Sequence, residues 1–182
     1  MKKIILAAVA ALSAGAACAE PYIGAGLTTN TYSINCGGTT SCTTHGAGGK
    51  VYAGYVSKSG IGGELSYLLL GTAKSTTPTV VTDYEATGVA AAVVFRGTIS
   101  RSFFVNAKLG MARVTTTAMG RSTTALLPDY TETTTKPYLS LGMEYGFVEN
   151  VKLTAFIDNT KGKIDGNTGG IRAFGLGVEF LF

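Results

Sequence analysis

Period-two alternation is strongest in residues 171–182, Ile-Arg-Ala-Phe-Gly-Leu-Gly-Val-Glu-Phe-Leu-Phe. A period of two predicts a β-strand. One face of this strand carries the large apolar side chains Phe174, Leu176, Val178, Phe180 and Phe182. Between residues 173 and 179, the other face carries only Ala173, Gly175, Gly177 and Glu179. The apolar face of such a strand suits a surrounding hydrocarbon solvent, and the small polar face suits a barrel interior. In hydrocarbon, only helices and closed barrels satisfy the hydrogen-bonding groups of their backbone.

Two further stretches carry a family resemblance. Residues 52–71, Tyr-Ala-Gly-Tyr-Val-Ser-Lys-Ser-Gly-Ile-Gly-Gly-Glu-Leu-Ser-Tyr-Leu-Leu-Leu-Gly, resemble the second hairpin of the OmpA-like eight-stranded outer-membrane barrels, and Leu-Gly-Met-Glu-Tyr at 141–145 resembles the same class. The last strand resembles their closing strand, which implies that Phe180 and Phe182 form a C-terminal signal for the barrel-assembly machinery. The resemblance implies an all-β, eight-stranded, antiparallel up-and-down transmembrane β-barrel, OmpA-like or OmpX-like, without a peptidoglycan-binding domain.

The first residues have the pattern of a secretory signal peptide. Lys2 and Lys3 precede an apolar run, which is followed by the cleavage pattern Ala17-Cys18-Ala19. The run is too short to span a membrane. We therefore predict a signal peptide at residues 1–19 and a barrel domain at residues 20–182. Cleavage leaves 13 Lys and Arg against 11 Asp and Glu, and this near-neutral balance indicates no nucleic-acid partner.

Eight period-two segments follow the predicted signal, at residues 21–33, 50–57, 61–71, 83–95, 102–114, 136–147, 151–159 and 171–182. Their connections alternate in length. Long loops are predicted at 34–49, 72–81, 115–135 and 160–170, and short turns at 58–60, 96–101 and 148–150. Outer-membrane barrels have short periplasmic turns and long outer loops. We therefore predict that both termini are periplasmic.

The predicted inward faces carry six charged residues: Glu64, Lys108, Glu144, Lys152, Asp158 and Glu179. An eight-stranded barrel is just wide enough for side chains to fill it, so opposite charges are expected to meet inside. Interior acidic and basic side chains pair in the OmpA-like barrels, and the resemblance implies that Lys108 and Lys152 hold Glu64 and Glu144. Thr154 stands where those barrels usually carry a basic residue. The pairs either hold the barrel closed or line a narrow water path.

The two cysteines beyond the predicted signal, Cys36 and Cys42, are expected to form a disulfide in an oxidising compartment. A metal site formed by Cys36, Cys42 and His45 is the alternative, with only three candidate ligands. His45 is the single histidine, and no serine or aspartate pattern around it indicates a catalytic triad. We expect no enzymatic activity and no cofactor.

Aromatic and basic residues predict the membrane interfaces. An aromatic belt is predicted near the short turns, formed by Tyr22, Tyr55, Phe95, Phe103, Tyr145, Phe180 and Phe182. Arg113 and Arg172 are predicted near the opposite rim on the outward face. There they meet lipid phosphates or simply extend their charged groups to water.

These patterns predict an integral outer-membrane protein with a structural or envelope role. Its surface loops are expected to serve adhesion or contact with the host or the environment. The alternative is a narrow, porin-like channel or carrier for small solutes. The expected partners are outer-membrane lipid, lipopolysaccharide, the barrel-assembly machinery and an extracellular ligand of the loops, with the protein itself monomeric. A soluble periplasmic sandwich conflicts with the outward direction of the bulky side chains.

Overall fold

Antiparallel strands account for nearly all of the chain that the computed structural model describes, which comprises residues 19–33, 41–76, 80–122, 130–164 and 167–182. In this part of the chain, no helix is long and apolar enough to cross a bilayer. The strands within these ranges are β1 (Ala19–Tyr32), β2 (Ser41–Thr43), β3 (His45–Ser57), β4 (Ile61–Thr76), β5 (Val80–Thr98), β6 (Phe103–Ser122), β7 (Tyr130–Val148), β8 (Val151–Ile164) and β9 (Asn167–Leu181).

The strands close into a barrel in the order β3, β1, β9, β8, β7, β6, β5, β4, because β4 pairs with both β5 and β3. All of these pairings are antiparallel. The short β2 pairs with β4 beyond the end of β3. The predicted eight-stranded antiparallel up-and-down barrel is therefore confirmed.

The two ends of the barrel differ. The turn end contains the tight turns at 58–60, 99–102 and 149–150. It also contains Ala19, which is opposite Ser57, and Phe182, whose backbone amide donates a 3.1 Å hydrogen bond to the Pro21 carbonyl. The opposite end is called the loop end. The structure does not describe residues 1–18, so the predicted signal peptide lies almost entirely outside it.

Burial along the strands places the apolar face outside. Leu27 and Leu176 are 80% and 71% exposed, whereas Glu144 and Glu179 are each only 1% exposed. The alternation continues along β7, where Leu139, Leu141, Met143 and Tyr145 are exposed. The barrel wall is thus an apolar surface around a charged interior, which is the arrangement expected of strands that cross a bilayer.

The aromatic belt at the turn end lies on this outer wall, with one exception. Tyr55, Phe95, Phe103, Tyr145, Phe180 and Phe182 are exposed or half-buried there, and the rings of Phe103 and Tyr145 are 4.9 Å apart. The prediction for Tyr22 was wrong, because its side chain is buried inside the barrel at 2% exposure. Tyr22 has the inward parity of its strand, and a Cβ at Gly54 would lie 2.7 Å from the Tyr22 ring, so the glycine leaves the space that the ring fills.

Strands β5, β6 and β7 contain 19, 20 and 19 residues and are much longer than predicted. Large parts of the predicted loops at 34–49, 72–81, 115–135 and 160–170 are strand. The reason is visible in the Thr-rich segments, where β-branched side chains favour extended backbone. Threonine hydroxyl groups pair across β6 and β7 at 3.0 Å between Thr115 and Thr133 and at 3.3 Å between Thr117 and Thr131.

A β-bulge in β4 adjusts the barrel at the loop end. The register shifts between Leu69 and Gly71, and Gly71 adopts a positive φ of 79°. A Cβ at Gly71 would lie 2.2 Å from the Ala47 carbonyl oxygen. The Tyr32 hydroxyl group donates to the carbonyl groups of Leu70 and Gly71. Glycine is therefore required here by both backbone conformation and space.

An apolar cluster fills the loop-end half of the interior and is called the apolar plug. Its buried residues come from β1, β4, β5, β6, β7 and β9: Tyr32, Leu68, Leu70, Ala73, Ala86, Ala90, Ala112, Val114, Tyr138 and Ile171. The interior charged side chains begin at this plug, where Lys50 is in register with Leu68, and continue toward the turn end.

Candidate functional site

The first group of interior charges forms a chain of four residues across the barrel, called quartet A. Lys108 Nζ contacts Glu64 Oε2. Lys50 Nζ lies 3.4 Å from Glu64 Oε1 and 3.3 Å from Asp158 Oδ2. Tyr138 accepts a 2.8 Å hydrogen bond from Lys50 Nζ. Two cations and two anions therefore neutralise one another within quartet A.

The second group, quartet B, repeats this arrangement nearer to the turn end. Lys152 Nζ lies 3.1 Å from Glu144 Oε2. The Arg96 guanidinium group lies 3.0 Å from Glu144 Oε1 and 2.6 Å from Glu179 Oε1. Asn106 Nδ2 donates a 2.6 Å hydrogen bond to Glu144 Oε1. Quartet B is also balanced, with two cations and two anions.

Tyr22 lies between the quartets. Its hydroxyl group donates a 3.0 Å hydrogen bond to Glu64 Oε2 of quartet A. The Arg96 guanidinium group of quartet B lies 4.8 Å from the centre of the Tyr22 ring, a cation–π distance. One aromatic side chain therefore contacts both charge groups.

The structure brings together all six charged residues predicted to face inward, and it adds Lys50 and Arg96. The predicted turn at 96–101 begins three residues too early, because β5 continues to Thr98 and the Arg96 side chain lies inside the barrel. Two sequence signals pointed to the missing cations. Lys50 has the same strand parity as the buried Tyr52, and four interior acids faced only two predicted interior lysines. Removing one partner of a buried pair costs roughly 3–5 kcal/mol, so such an imbalance is unfavourable.

Polar contacts join β7 and β8 at the loop end. Backbone pairing of these strands begins at Leu139 and Asn159 and continues toward the turn end. Beyond it, Thr160 Oγ1 donates a 3.2 Å hydrogen bond to the Pro137 carbonyl oxygen. Lys163 Nζ lies 2.5 Å from Glu132 Oε1, and this hydrogen bond raises the pKa of Lys163. Side-chain contacts thus join β7 and β8 beyond the point where their backbone pairing ends.

The predicted disulfide and metal site lie mostly outside the described residues. Cys36 is not described, and Cys42 is described only by its backbone, which pairs with Ser75. His45 is exposed, and its Nδ1 lies 3.2 Å from Thr31 Oγ1. The described residues contain no group of three or more His, Cys, Asp or Glu side chains arranged to hold a metal ion. The disulfide therefore stays a prediction.

Comparisons with known proteins agree with this geometry. The chain matches the profile of the outer membrane protein beta-barrel domain family over residues 4–182. Comparison with curated protein sequences finds no match. The structure is similar to that of Ail, the attachment invasion locus protein of Yersinia pestis, with 17% sequence identity, a TM-score of 0.61 and coverage of 90% of this chain and 98% of Ail.

Two other solved structures have the same architecture. Neisserial surface protein A is 16% identical, with a TM-score of 0.68 and coverage of 89% of this chain and 97% of that protein. OprG from Pseudomonas aeruginosa is 12% identical, with a TM-score of 0.58 and coverage of 91% of this chain and 96% of OprG. At these identities the likeness is one of fold. Together with the family match over nearly the whole sequence, it leads to one conclusion: the chain belongs to the outer membrane protein beta-barrel domain family, the barrels of the bacterial outer membrane.

Proposed function

We propose that this barrel is a closed membrane anchor that presents its loop end outside the cell for contact with surrounding surfaces. In this orientation both chain termini are periplasmic, and the outward wall contacts membrane lipid. The observation that carries the proposal is the length of β5, β6 and β7. A strand needs roughly 10 residues to cross the hydrocarbon core, so about half of each of these strands lies beyond it.

The part beyond the hydrocarbon is called the projecting wall and comprises residues 80–87, 115–122 and 130–135. Threonine is the commonest of its described outward side chains, which also include Asp83 and Glu85, and two threonine pairs are hydrogen-bonded across β6 and β7. At about 3.3 Å per residue and a tilt of 35–45°, the wall rises roughly 20 Å above the apolar band. A paired sheet of this height supports a role in contact rather than in transport.

The likeness to Ail is consistent with this role at the level of the fold. The name of that protein, attachment invasion locus protein, refers to attachment by a barrel of this architecture. At 17% identity, the residues through which Ail makes its contacts are not assigned to positions in this chain. The proposal therefore rests on the projecting wall of this chain.

Adhesion of cells to an immobilised epithelial monolayer tests the proposal. The chain is expressed in a non-adherent bacterial host, which is expected to be retained well above the vector control. A variant in which Asn-Gly replaces residues 115–133 joins the register partners Val114 and Thr134 by a two-residue hairpin. This variant is expected to return to background retention.

A matched control shortens a different hairpin. Asn-Gly in place of residues 161–170 joins the register partners Thr160 and Ile171, and adhesion is expected to persist. Both variants must show the heat-dependent gel mobility of a folded barrel. Equal adhesion by both shortened variants, or no adhesion by the full chain, would contradict the proposal.

A narrow channel is the second candidate. It is favoured by buried side-chain oxygen atoms that have no hydrogen-bond partner within the described residues, including Ser140 Oγ and Asp158 Oδ1. These two residues face each other across β7 and β8. The apolar plug and the ion pairs that cross the lumen oppose it. Stable conductance steps in planar bilayers that disappear in Lys108→Met would favour the channel, whereas a silent bilayer agrees with a closed anchor.

A further inference from the structure

A groove lies in the outer wall where β7, β8, β9, β1 and β3 meet. It has a volume of about 960 Å³. Ala155 forms part of its floor, between Met143 on β7 and Leu176 on β9 in register. Leu27 and Leu176, the register pair of β1 and β9, project far from the wall at 80% and 71% exposure. The groove is therefore a depression between bulky side chains in a surface that meets lipid.

A row of polar side chains lies directly above this groove on the loop-end side. It crosses four neighbouring strands in register, from His45 on β3 through Thr31 on β1 and Arg172 on β9 to Asn159 on β8. Arg172 Nε donates a 3.0 Å hydrogen bond to Asn159 Oδ1. That bond orients the guanidinium group, and no hydrogen bond to another described residue occupies its two terminal nitrogen atoms. Within the described residues, no carboxylate forms an ion pair with Arg172.

The separation between the polar row and the groove is similar to that between the phosphate group and the acyl chains of an anionic lipid. Phe174, which lines the groove, is two residues below Arg172 on the same face of β9, or roughly 7 Å along the strand. The terminal guanidinium nitrogens suit the oxygen atoms of a phosphate group. The apolar groove below suits the acyl chain attached to it.

We infer that this part of the wall is a binding site for one bisphosphorylated glycolipid of the outer leaflet, of the lipid A class. Arg172 binds a phosphate group and the groove binds an acyl chain. The choice of glycolipid over glycerophospholipid rests on the proposed function, which places the loop end in the outer leaflet.

Another part of the wall has a groove and an arginine but lacks the polar row. A second groove of about 610 Å³, lined by residues that include Ile23, Val51 and Leu65, has no charged residue in its lining. Arg113 is exposed on β6, and its register neighbours are Val89 and Thr135. Val89 lines the second groove, so Arg113 lies beside it, but neither register neighbour of Arg113 is an amide or imidazole side chain that orients its guanidinium group. This region provides matched controls.

Native mass spectrometry tests the site with barrels folded in maltoside micelles that contain either lipid A or phosphatidylglycerol. The unchanged protein is expected to retain one lipid A. Arg172→Gln is expected to weaken retention about tenfold by removing the charged hydrogen bonds, and Ala155→Leu is expected to weaken it by filling the groove. The controls Arg113→Gln and Ala91→Leu, on β6 and β5, are expected to retain lipid A as the unchanged protein does.

Equal loss in Arg172→Gln and Arg113→Gln would overturn the site, and so would equal retention of phosphatidylglycerol and lipid A. The heat-dependent gel mobility of each variant verifies its folding. Micelles impose no orientation, so failure here is separate from failure of the adhesion assay. Orientation is tested on whole cells by labelling the variant Lys161→Cys with a membrane-impermeant maleimide, since Lys161 is exposed at the loop end.

Discussion

Arg96 on β5 forms a 2.6 Å ion pair with Glu179 on β9, and these two strands are separated by three others in either direction around the barrel. The contact therefore spans the full width of the lumen. Lys50 on β3 and Tyr138 on β7 make a second contact between strands separated in the same way, at 2.8 Å. Side chains from opposite walls thus meet across the lumen at two levels.

Replacing Arg96 is expected to destabilise the barrel strongly. Arg96→Met leaves Glu144 and Glu179 buried with one cation, Lys152, between them, and breaking such a buried pair costs roughly 3–5 kcal/mol. The free energy of unfolding in urea, measured in lipid vesicles, checks this value. Arg101→Gln is the control, because Arg101 is exposed in a turn. Equal stability of the two variants would show that quartet B does not stabilise the fold.

Tyr22→Phe tests the link between the quartets. The change removes the hydroxyl group that donates to Glu64 but keeps the ring beside Arg96. A hydrogen bond to a charged group contributes about 1.5–3 kcal/mol, and the free energy of unfolding is expected to fall by this amount. Tyr67→Phe on the exposed wall is expected to have little effect. A comparable loss in both variants would contradict the role of Tyr22.

Gly71→Ala is expected to destabilise the β4 bulge. Alanine at a φ of +79° is strained by about 1–2 kcal/mol, and its Cβ would also collide with the Ala47 carbonyl oxygen at 2.2 Å. In Gly97→Ala the nearest atom to the new Cβ is a Val105 methyl group at an ordinary 3.6 Å. Urea unfolding should therefore separate the two variants. If Gly97→Ala cost as much as Gly71→Ala, the bulge would have no special requirement for glycine.

Part of this architecture was predictable from the sequence, because period-two alternation assigns each side chain to a face. Glu64 and Lys108 have inward parity, and both are buried in quartet A. Arg96 was missed because the alternation of apolar and polar side chains ends near Gly97. Backbone pairing with β6 nevertheless extends β5 beyond that point. The Thr-rich segments of the projecting wall were predicted as loops, since threonine is common in both settings. Their pairing depends on a neighbouring strand that local sequence does not reveal.

The predicted disulfide remains open to a direct chemical test. Titration of the exported protein without reductant is expected to find no free thiol among Cys36 and Cys42. Closing so small a loop contributes about 2 kcal/mol on loop-entropy grounds. Two free thiols in the oxidised preparation would refute the pairing.

The central claim is that the wall faces lipid and the interior does not, and single-tryptophan fluorescence tests it most directly. The chain contains no tryptophan, so each variant has one reporter. Leu109 is 53% exposed on the wall, whereas Phe156 is 7% exposed, with Lys50 Nζ 4.9 Å from its ring centre. In vesicles of acyl-brominated lipid, Leu109→Trp is expected to lose most of its emission, while Phe156→Trp keeps most of its own. Strong quenching of Phe156→Trp with Leu109→Trp unaffected would mean that the two faces of the strands are reversed.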